Sequence, residues 1–212
     1  MTPLIVVCTH HKTGTVWMGN VFRAVRKQYK RKLFAGKQDD LPPDADIFLQ
    51  DHSKVDLDAL RSRGRPVRCV HVIRDPRDVV MSCFMQSLTL TPVSSAYLTL
   101  AGTVNQYANV MDFWRAMLPR LAELGMYVRY EQMVADLPTV ARSVLSFLGL
   151  GFEDNVLKFY EHARTKRVNS PSYADARKPL YGTAIGRWRN YEKYLEPYMS
   201  GLEPFLKTFN YQ

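Results

Sequence analysis

Three short β-rich runs, LIVVC at 4–8, VRCVHVI at 67–73 and MYVRY at 126–130, constrain the fold of this chain more than any other feature. Their apolar residues follow one another instead of alternating with polar ones. A strand with one wet face alternates, so this pattern marks strands covered on both faces, as in the parallel sheets of α/β proteins. ADIFLQ at 45–50 reads as a weaker fourth strand. Helical patterns lie between the runs. The first, 14–30, carries Val16, Trp17, Val21, Phe22 and Val25 on one face and a strongly basic opposite face. A second starts with Pro76 at its first position and runs to about residue 88; a long one fills 95–124, and two more fill 134–150 and 152–164. The expected architecture is a single α/β domain over 1–212, a central parallel β-sheet flanked by helices, with loops at 36–43 and 165–186.

At 212 residues and 46% hydrophobic content the chain is long enough to bury a core without disulfide or metal staples. Cys8, Cys69 and Cys83 form an odd set without paired zinc-site spacing and read as reduced, buried thiols. No stretch approaches the roughly 18 uncharged residues of a membrane span, and PLIVVC at 3–8 is too short for a signal segment. A cytoplasmic location is expected. The 29 Lys and Arg against 20 Asp and Glu leave a formal charge of +9, which attracts anions, nucleic acid or an acidic surface without choosing among them.

Two basic elements make that choice. Directly after the first strand, HHKTGTVW at 10–17 puts Lys12, Thr13, Gly14 and Thr15 in a turn that opens a helix. Backbone N–H groups at a helix start are unsatisfied, the helix dipole adds partial positive charge and a lysine adds a full one, a combination that suits phosphate. Gly14 lets the backbone approach the anion. The lysine precedes the glycine and no earlier glycine stands in the turn, so GxxxxGK[ST] is not satisfied and an ordinary P-loop kinase is disfavoured. After the second strand, RDPRDVVMSCF at 74–84 sets Arg74 at the strand end and Ser82 two turns into the following helix, where both can face one ligand.

This pair of elements resembles the PAPS-dependent sulfotransferase family, whose members carry a strand-loop-helix phosphosulfate site of the PKSGTTW type and a later RxPxDxxxS segment that binds a 3′-phosphate. Lys12 to Trp17 are similar to the first, and Arg74 to Ser82 to the second with its eight-residue offset. YEQM at 130–133 resembles the family's YEDM, whose tyrosine approaches adenine, and VLSFLGL at 144–150 is similar to the helix after it. ARKPLYGTAIGRWRNYEKYL at 176–195 resembles the C-terminal loop that ends in GxW and brings basic residues to the 3′-phosphate. The resemblance implies a nucleotide-kinase-like (P-loop-like) sulfotransferase fold. It implies transfer of a sulfuryl group from 3′-phosphoadenosine 5′-phosphosulfate (PAPS) to a hydroxyl, phenol or amine of a small-molecule acceptor, with 3′-phosphoadenosine 5′-phosphate (PAP) as product and no metal required. The cofactor-binding residues it implies are Lys12, Thr13, Gly14, Thr15, Val16, Trp17, Arg74, Ser82, Tyr130, Arg177 and Lys178. The chain departs from the pattern in three places. His10 and His11 replace an aromatic-proline pair, Val16 stands where a hydroxyl residue often touches the 5′-phosphate, and Arg187 stands for an acidic residue. Arg177, Lys178, Arg187 and Arg189 all stay candidates for the 3′-phosphate.

Sulfuryl transfer resembles phosphoryl transfer, an in-line displacement in which positioning and charge stabilisation carry the catalysis. Lys12 is the expected catalytic cation, following charge onto the bridging oxygen as the nucleotide leaves. The general base has to titrate near neutrality, which favours histidine. His52, ending ADIFLQDH, resembles the KTHLP segment that holds the family's catalytic histidine, with His11 and Asp51 as alternatives. His71, mid-strand, reads as a hydrogen-bonded core histidine and His162 as exposed; Met81, Met85, Leu88 and Leu90 either line an apolar acceptor pocket or are core, and core is the preferred reading. Two rivals share some of these features. A small-molecule or nucleotide kinase needs a standard phosphate loop and a Mg²⁺ carboxylate. A basic nucleic-acid-binding module lacks a recognised motif here, so no specific nucleic acid is expected as partner.

Overall fold

All six residues of β1, Leu4–Thr9, are buried, which is why their apolarity is continuous. In this computed structural model, which describes residues 2–50, 54–86, 94–157 and 182–212, β1 lies at the centre of a sheet. Its partners are β2 (Leu33–Gly36), β3 (Ile47–Gln50), β4 (Val67–Ile73) and β5 (Gly125–Arg129), in the order β2-β3-β1-β4-β5 with every pairing parallel. Ile5 lies opposite Ile47 and Val6 opposite Cys69. The helices are α1 (Thr15–Tyr29), α2 (Leu57–Arg61), α3 (Pro76–Phe84), α4 (Leu100–Ala116), α5 (Leu118–Leu124), α6 (Tyr130–Ala135), α7 (Leu137–Phe147), α8 (Glu192–Leu195) and α9 (Met199–Thr208).

Successive strand residues point to opposite faces, and both faces carry a core. Ile5, Val7, Val70, Val72 and Val128 pack under α1 and α7 through Trp17, Phe22, Val25 and Leu145. Leu4, Val6, Cys8, Phe48 and Cys69 pack under α3, α4 and α9 through Val80, Tyr107, Trp114 and Phe205. The architecture is the expected α/β one, a parallel sheet between helical layers. Its strand order has a consequence for ligands. The chain runs from β1 outward to β2, returns through β3 and crosses to β4 on the other side of β1. Open parallel sheets bind ligands beyond the carboxyl ends of the strands where the order reverses, and here that point is the end of β1 and β4.

Several local expectations are corrected. β2 is unexpected: the sequence reading assigns Leu33, Phe34 and Ala35 to no element and Gly36 to the start of a loop. The long helix over 95–124 is three pieces: a 3₁₀ turn at Ser94–Leu98, then α4 with the Thr99 side chain accepting from Gly102 N, then α5 with Pro119 in its first turn. Proline lacks the N–H that would continue α4, so the axis breaks at Met117. α3 ends at Phe84 instead of near 88, and Tyr130 opens α6 instead of closing β5. Of 152–164 the described part forms a 3₁₀ turn at Asp154–Leu157. Met81 is core but Met85 is 41% exposed, while Leu88, Leu90 and His162 lie outside the described residues.

The three cysteines are buried and unbridged, as expected, and burial pushes the Cys83 thiol up to about 12. His71 is buried but not hydrogen-bonded: neither ring nitrogen has a partner among the described residues. Its ring lies 4.4 Å from that of Trp114, and burial first, then the charge on His10, holds it down to about 3. Among the described residues no helix is long and apolar enough to cross a membrane.

Candidate functional site

The loop between β1 and α1 meets the end of β4 at the point where the strand order reverses. Two of its residues are left-handed, Lys12 with φ 65° and Gly14 with φ 91°. Thr13 Oγ1 donates to His10 O at 2.8 Å, and Thr15 Oγ1 donates to Thr9 Oγ1 at 3.0 Å and His10 O at 3.3 Å. The Thr13 hydroxyl thus braces the loop backbone, while the Thr15 hydroxyl is shared between the Thr9 side chain and His10 O. Among the described residues no side chain caps α1, and its first turn holds no acidic residue, so its positive end faces the loop. Gly14 has a packing role beyond access for a ligand. A Cβ there would lie 2.8 Å from Met133 Cε and 3.1 Å from Tyr130 Cδ2, so the glycine is what allows α6 to close on the loop.

Arg74 joins the second basic element to the first. It is 6% exposed, and its Nη1 donates to Lys12 O at 2.8 Å while Nη2 donates to Ala184 O at 2.5 Å. Its guanidinium lies 4.4 Å above the Tyr130 ring, and Tyr130 stacks on Trp17 at 5.5 Å with 10° between the planes. Arg74, Tyr130 and Trp17 are therefore one layered unit, with Trp17 packed on Tyr130 and buried in the core under α1. The Arg74 Nε has no hydrogen-bond partner among the described residues. Ser82 is half-buried on α3. Arg74, Asp78 and Ser82 follow at intervals of four, which puts Asp78 and Ser82 on one helix face and Asp78 within 3.8 Å of Arg74.

α3 starts where expected, with Pro76 in its first turn and Asp75 as N-cap accepting from Arg77 N. Arg77 is tied to Asp75 at 2.8 Å, and its guanidinium lies 4.0 Å from the Trp188 ring. Asp75 N donates to Glu131, which also accepts from the Tyr211 hydroxyl. Asp78 accepts from two backbone amides of the C-terminal segment, Gly186 and Trp188. Burial raises its pKa and the Arg74 charge opposes that shift. Sequence reasoning gave no role to Arg77 or Glu131 and met Asp78 only as the acidic position of the RxPxDxxxS-like segment. The available signal was the i, i+4 spacing of Arg74 and Asp78 across a helix start, since opposite charges at that spacing meet.

On the other side of Lys12, His10 is 2% exposed with its ring 5.0 Å from Tyr107, and the His11 ring is 5.7 Å from Tyr97. Cys83 Sγ lies 4.0 Å from His11 O. β3 reaches the same end of the sheet, where Gln50 Oε1 accepts from Thr9 N at 3.4 Å. His52 and Asp51, which follow it, lie outside the described residues, as do Arg177 and Lys178. Arg187 and Arg189 are exposed. The structure thus brings Lys12, Thr13, Gly14, Thr15, Val16, Trp17, Arg74 and Tyr130 together with Ser82 close by on α3. Among the described residues no group of three or more His, Cys, Asp or Glu stands where it would hold a metal ion.

Comparison with known proteins adds the following. The profile described as "Sulfotransferase family" matches residues 55–154, which include β4, α3 and α7 but not the Lys12 loop. An uncharacterized protein of Aquifex aeolicus (strain VF5) is 28% identical over 146 residues, a match covering 66% of this chain and 18% of that protein. The chain therefore corresponds to less than a fifth of that relative's length. Mouse sulfotransferase SULT7A1, solved in complex with PAP, superposes with TM-score 0.60 at 14% identity, covering 94% of this chain and 84% of that one. The sulfotransferase domain of the Synechococcus PCC 7002 olefin synthase gives 0.54 at 15% identity, with 89% and 87% covered. The sulfotransferase domain of the curacin biosynthetic pathway gives 0.56 at 12% identity, with 100% and 99% covered. At these identities the three structures establish a shared fold.

Proposed function

We propose that the chain, whose residues 55–154 match the sulfotransferase family profile, is a sulfotransferase that transfers a sulfuryl group from PAPS to a hydroxyl, phenol or amine of a small-molecule acceptor. The observation that carries this reading is Arg74. A guanidinium 6% exposed, with one N–H lacking a partner among the described residues, stands at the crossover point and is hydrogen-bonded to the backbone of the Lys12 loop. A buried N–H donor without an acceptor is costly, and an anionic oxygen removes that cost with a charge-assisted hydrogen bond. The PAP in the mouse SULT7A1 structure is in keeping with such a ligand.

In this reading the α1 N-terminus and Lys12 take the 5′-phosphosulfate, Arg74 and Ser82 take the 3′-phosphate, and adenine lies by Tyr130. Lys12 follows charge onto the bridging oxygen as the S–O bond to the nucleotide breaks and the acceptor oxygen or nitrogen bonds to sulfur. His52 takes the acceptor proton. Arg177 and Lys178 are the C-terminal contributors, the whole of 1–212 acts as one domain, and the setting is cytoplasmic.

Thermal stabilisation tests the donor assignment. At a hundredfold excess over its Kd, 3′,5′-adenosine bisphosphate stabilises by about 2.7 kcal/mol, or roughly 5–10 °C at about 2–4 °C per kcal/mol for a chain of this size. AMP and ATP are expected to do much less, and Arg74→Ala to remove the preference for the 3′-phosphate. A protein stabilised by ATP and not by the bisphosphate is a kinase-like binder, and the proposal fails.

A further inference from the structure

The segment that returns over the site, from Gly182 onward, has few anchors of its own. Gly182, Thr183, Ile185, Arg187 and Arg189 are exposed, and Trp188 is its one buried side chain up to Asn190. Its backbone is held from outside. Asp78 Oδ2 accepts from Gly186 N at 2.7 Å and Oδ1 accepts from Trp188 N at 2.9 Å. Gly186 is left-handed with φ 69°, which turns the chain so that both amides converge on one carboxylate. The Asp78 side chain is 1% exposed, and Arg74 lies 3.8 Å from its Oδ2. Arg74 in turn donates to Ala184 O on this segment and to Lys12 O on the β1–α1 loop.

One ion pair across the start of α3 therefore gathers three pieces of chain: the loop at Lys12, the helix itself and the returning segment. Burying a carboxylate is unfavourable unless its oxygens are hydrogen-bonded, and the two main-chain donors that satisfy Asp78 come from the returning segment, not from the core. We propose that Asp78 is a positioning residue that keeps the 182–188 segment closed over Arg74 and keeps Arg74 at the mouth of the nucleotide site, so that it sets how long a bound nucleotide is retained. The identity of the nucleotide rests on the sulfotransferase reading above; the fastening of the segment does not.

The test combines amide hydrogen exchange with nucleotide dissociation, using 3′,5′-adenosine bisphosphate as the probe. In the wild-type chain the Gly186 and Trp188 amides are expected to exchange more slowly than those of Thr183 and Arg187, and to slow further when the bisphosphate is saturating. Asp78→Asn keeps the side-chain shape but loses the charge and one acceptor. It is expected to speed exchange at both amides and dissociation of the bisphosphate by about tenfold or more, the order of one hydrogen bond to a charged group, with a melting temperature within a few degrees of wild type. Unchanged exchange overturns the fastening. Faster exchange with unchanged dissociation reduces Asp78 to a structural residue and overturns the proposal. If Asp78→Asn does not fold, the wild-type exchange decides: amides at 186 and 188 as fast as their neighbours, or indifferent to saturating bisphosphate, refute it. Absence of any bisphosphate binding by the wild type sinks the donor assignment, whereas intact wild-type binding with an unaltered Asp78→Asn sinks this inference alone.

Discussion

Gly14→Ala separates two kinds of demand that the β1–α1 loop places on one residue. At φ 91° an L-residue meets its own backbone, at a cost of about 1–2 kcal/mol. The new methyl would also lie 2.8 Å from Met133 Cε and 3.1 Å from Tyr130 Cδ2. Met133 Cε ends a flexible side chain that can turn aside at small cost, but the Tyr130 ring, 4% exposed and packed against Trp17 and Arg74, has little room to yield. Overpacking of this kind costs a further 1–3 kcal/mol or so, for a total of roughly 2–5 kcal/mol, or about 4–20 °C in Tm. Gly64 supplies the control: its φ is 79° and a Cβ there has nothing within 4 Å, so Gly64→Ala carries the backbone term alone. Urea unfolding of both variants measures the difference. If Gly14→Ala is no less stable than Gly64→Ala, α6 does not close on the loop as described. Loss of bisphosphate affinity in folded Gly14→Ala is expected alongside, because the displaced ring is the one that carries Arg74.

Two other outcomes are expected. His52→Ala should stay folded and bind the bisphosphate as wild type does, yet lose about 10²–10⁴ in turnover; full activity would pass the role to His11 or Asp51. His71, held at about 3 when folded against an ordinary 6.5, binds fewer protons in the folded state than in the unfolded one between those values. Stability therefore falls as pH drops below about 6.5, by up to about 1.4 kcal/mol per unit and about 2 kcal/mol by pH 5. His71→Phe should flatten that limb in a series of urea melts, and an unchanged slope would show that other groups carry it.

β1 and β4 were legible in the sequence because both faces of each strand are covered, and continuous apolarity is the direct record of that; β5, where only Val128 is fully buried, was legible through its β-rich residues. β2 was not, since Leu33, Phe34 and Gly36 are only half-buried and Ala35 is exposed, and the strand follows a basic helix tail. The break in the 95–124 helix had its signal in Pro119, which the apolar stripe of Tyr107, Val110, Met111 and Trp114 outweighed although all four do face the core. The β1–α1 turn and the place of Arg74 at the end of β4 were legible because their signals are local to two strand ends. Asp78 was harder, because its partners Gly186 and Trp188 are more than 100 residues away and contribute only main-chain amides, which leave no mark in side-chain pattern. The stacking of Trp17 on Tyr130 was hidden for a similar reason, as it depends on α6 returning across the sheet.

The sheet order also divides the molecule by how easily its parts open. β2 is the four-residue edge strand, paired on one side only and flanked by exposed Lys32 and Lys37. Short charged edges discourage pairing with a second chain, and elements with few buried contacts open first by local fluctuation. The loops that carry Lys12 and Arg74 hang instead from β1 and β4, each bonded on both sides. Fraying that begins at β2 has to pass through β3 before it reaches them, so the proposed anion site is separated from that margin by a full strand, while on the other side β5 alone stands between β4 and the sheet edge.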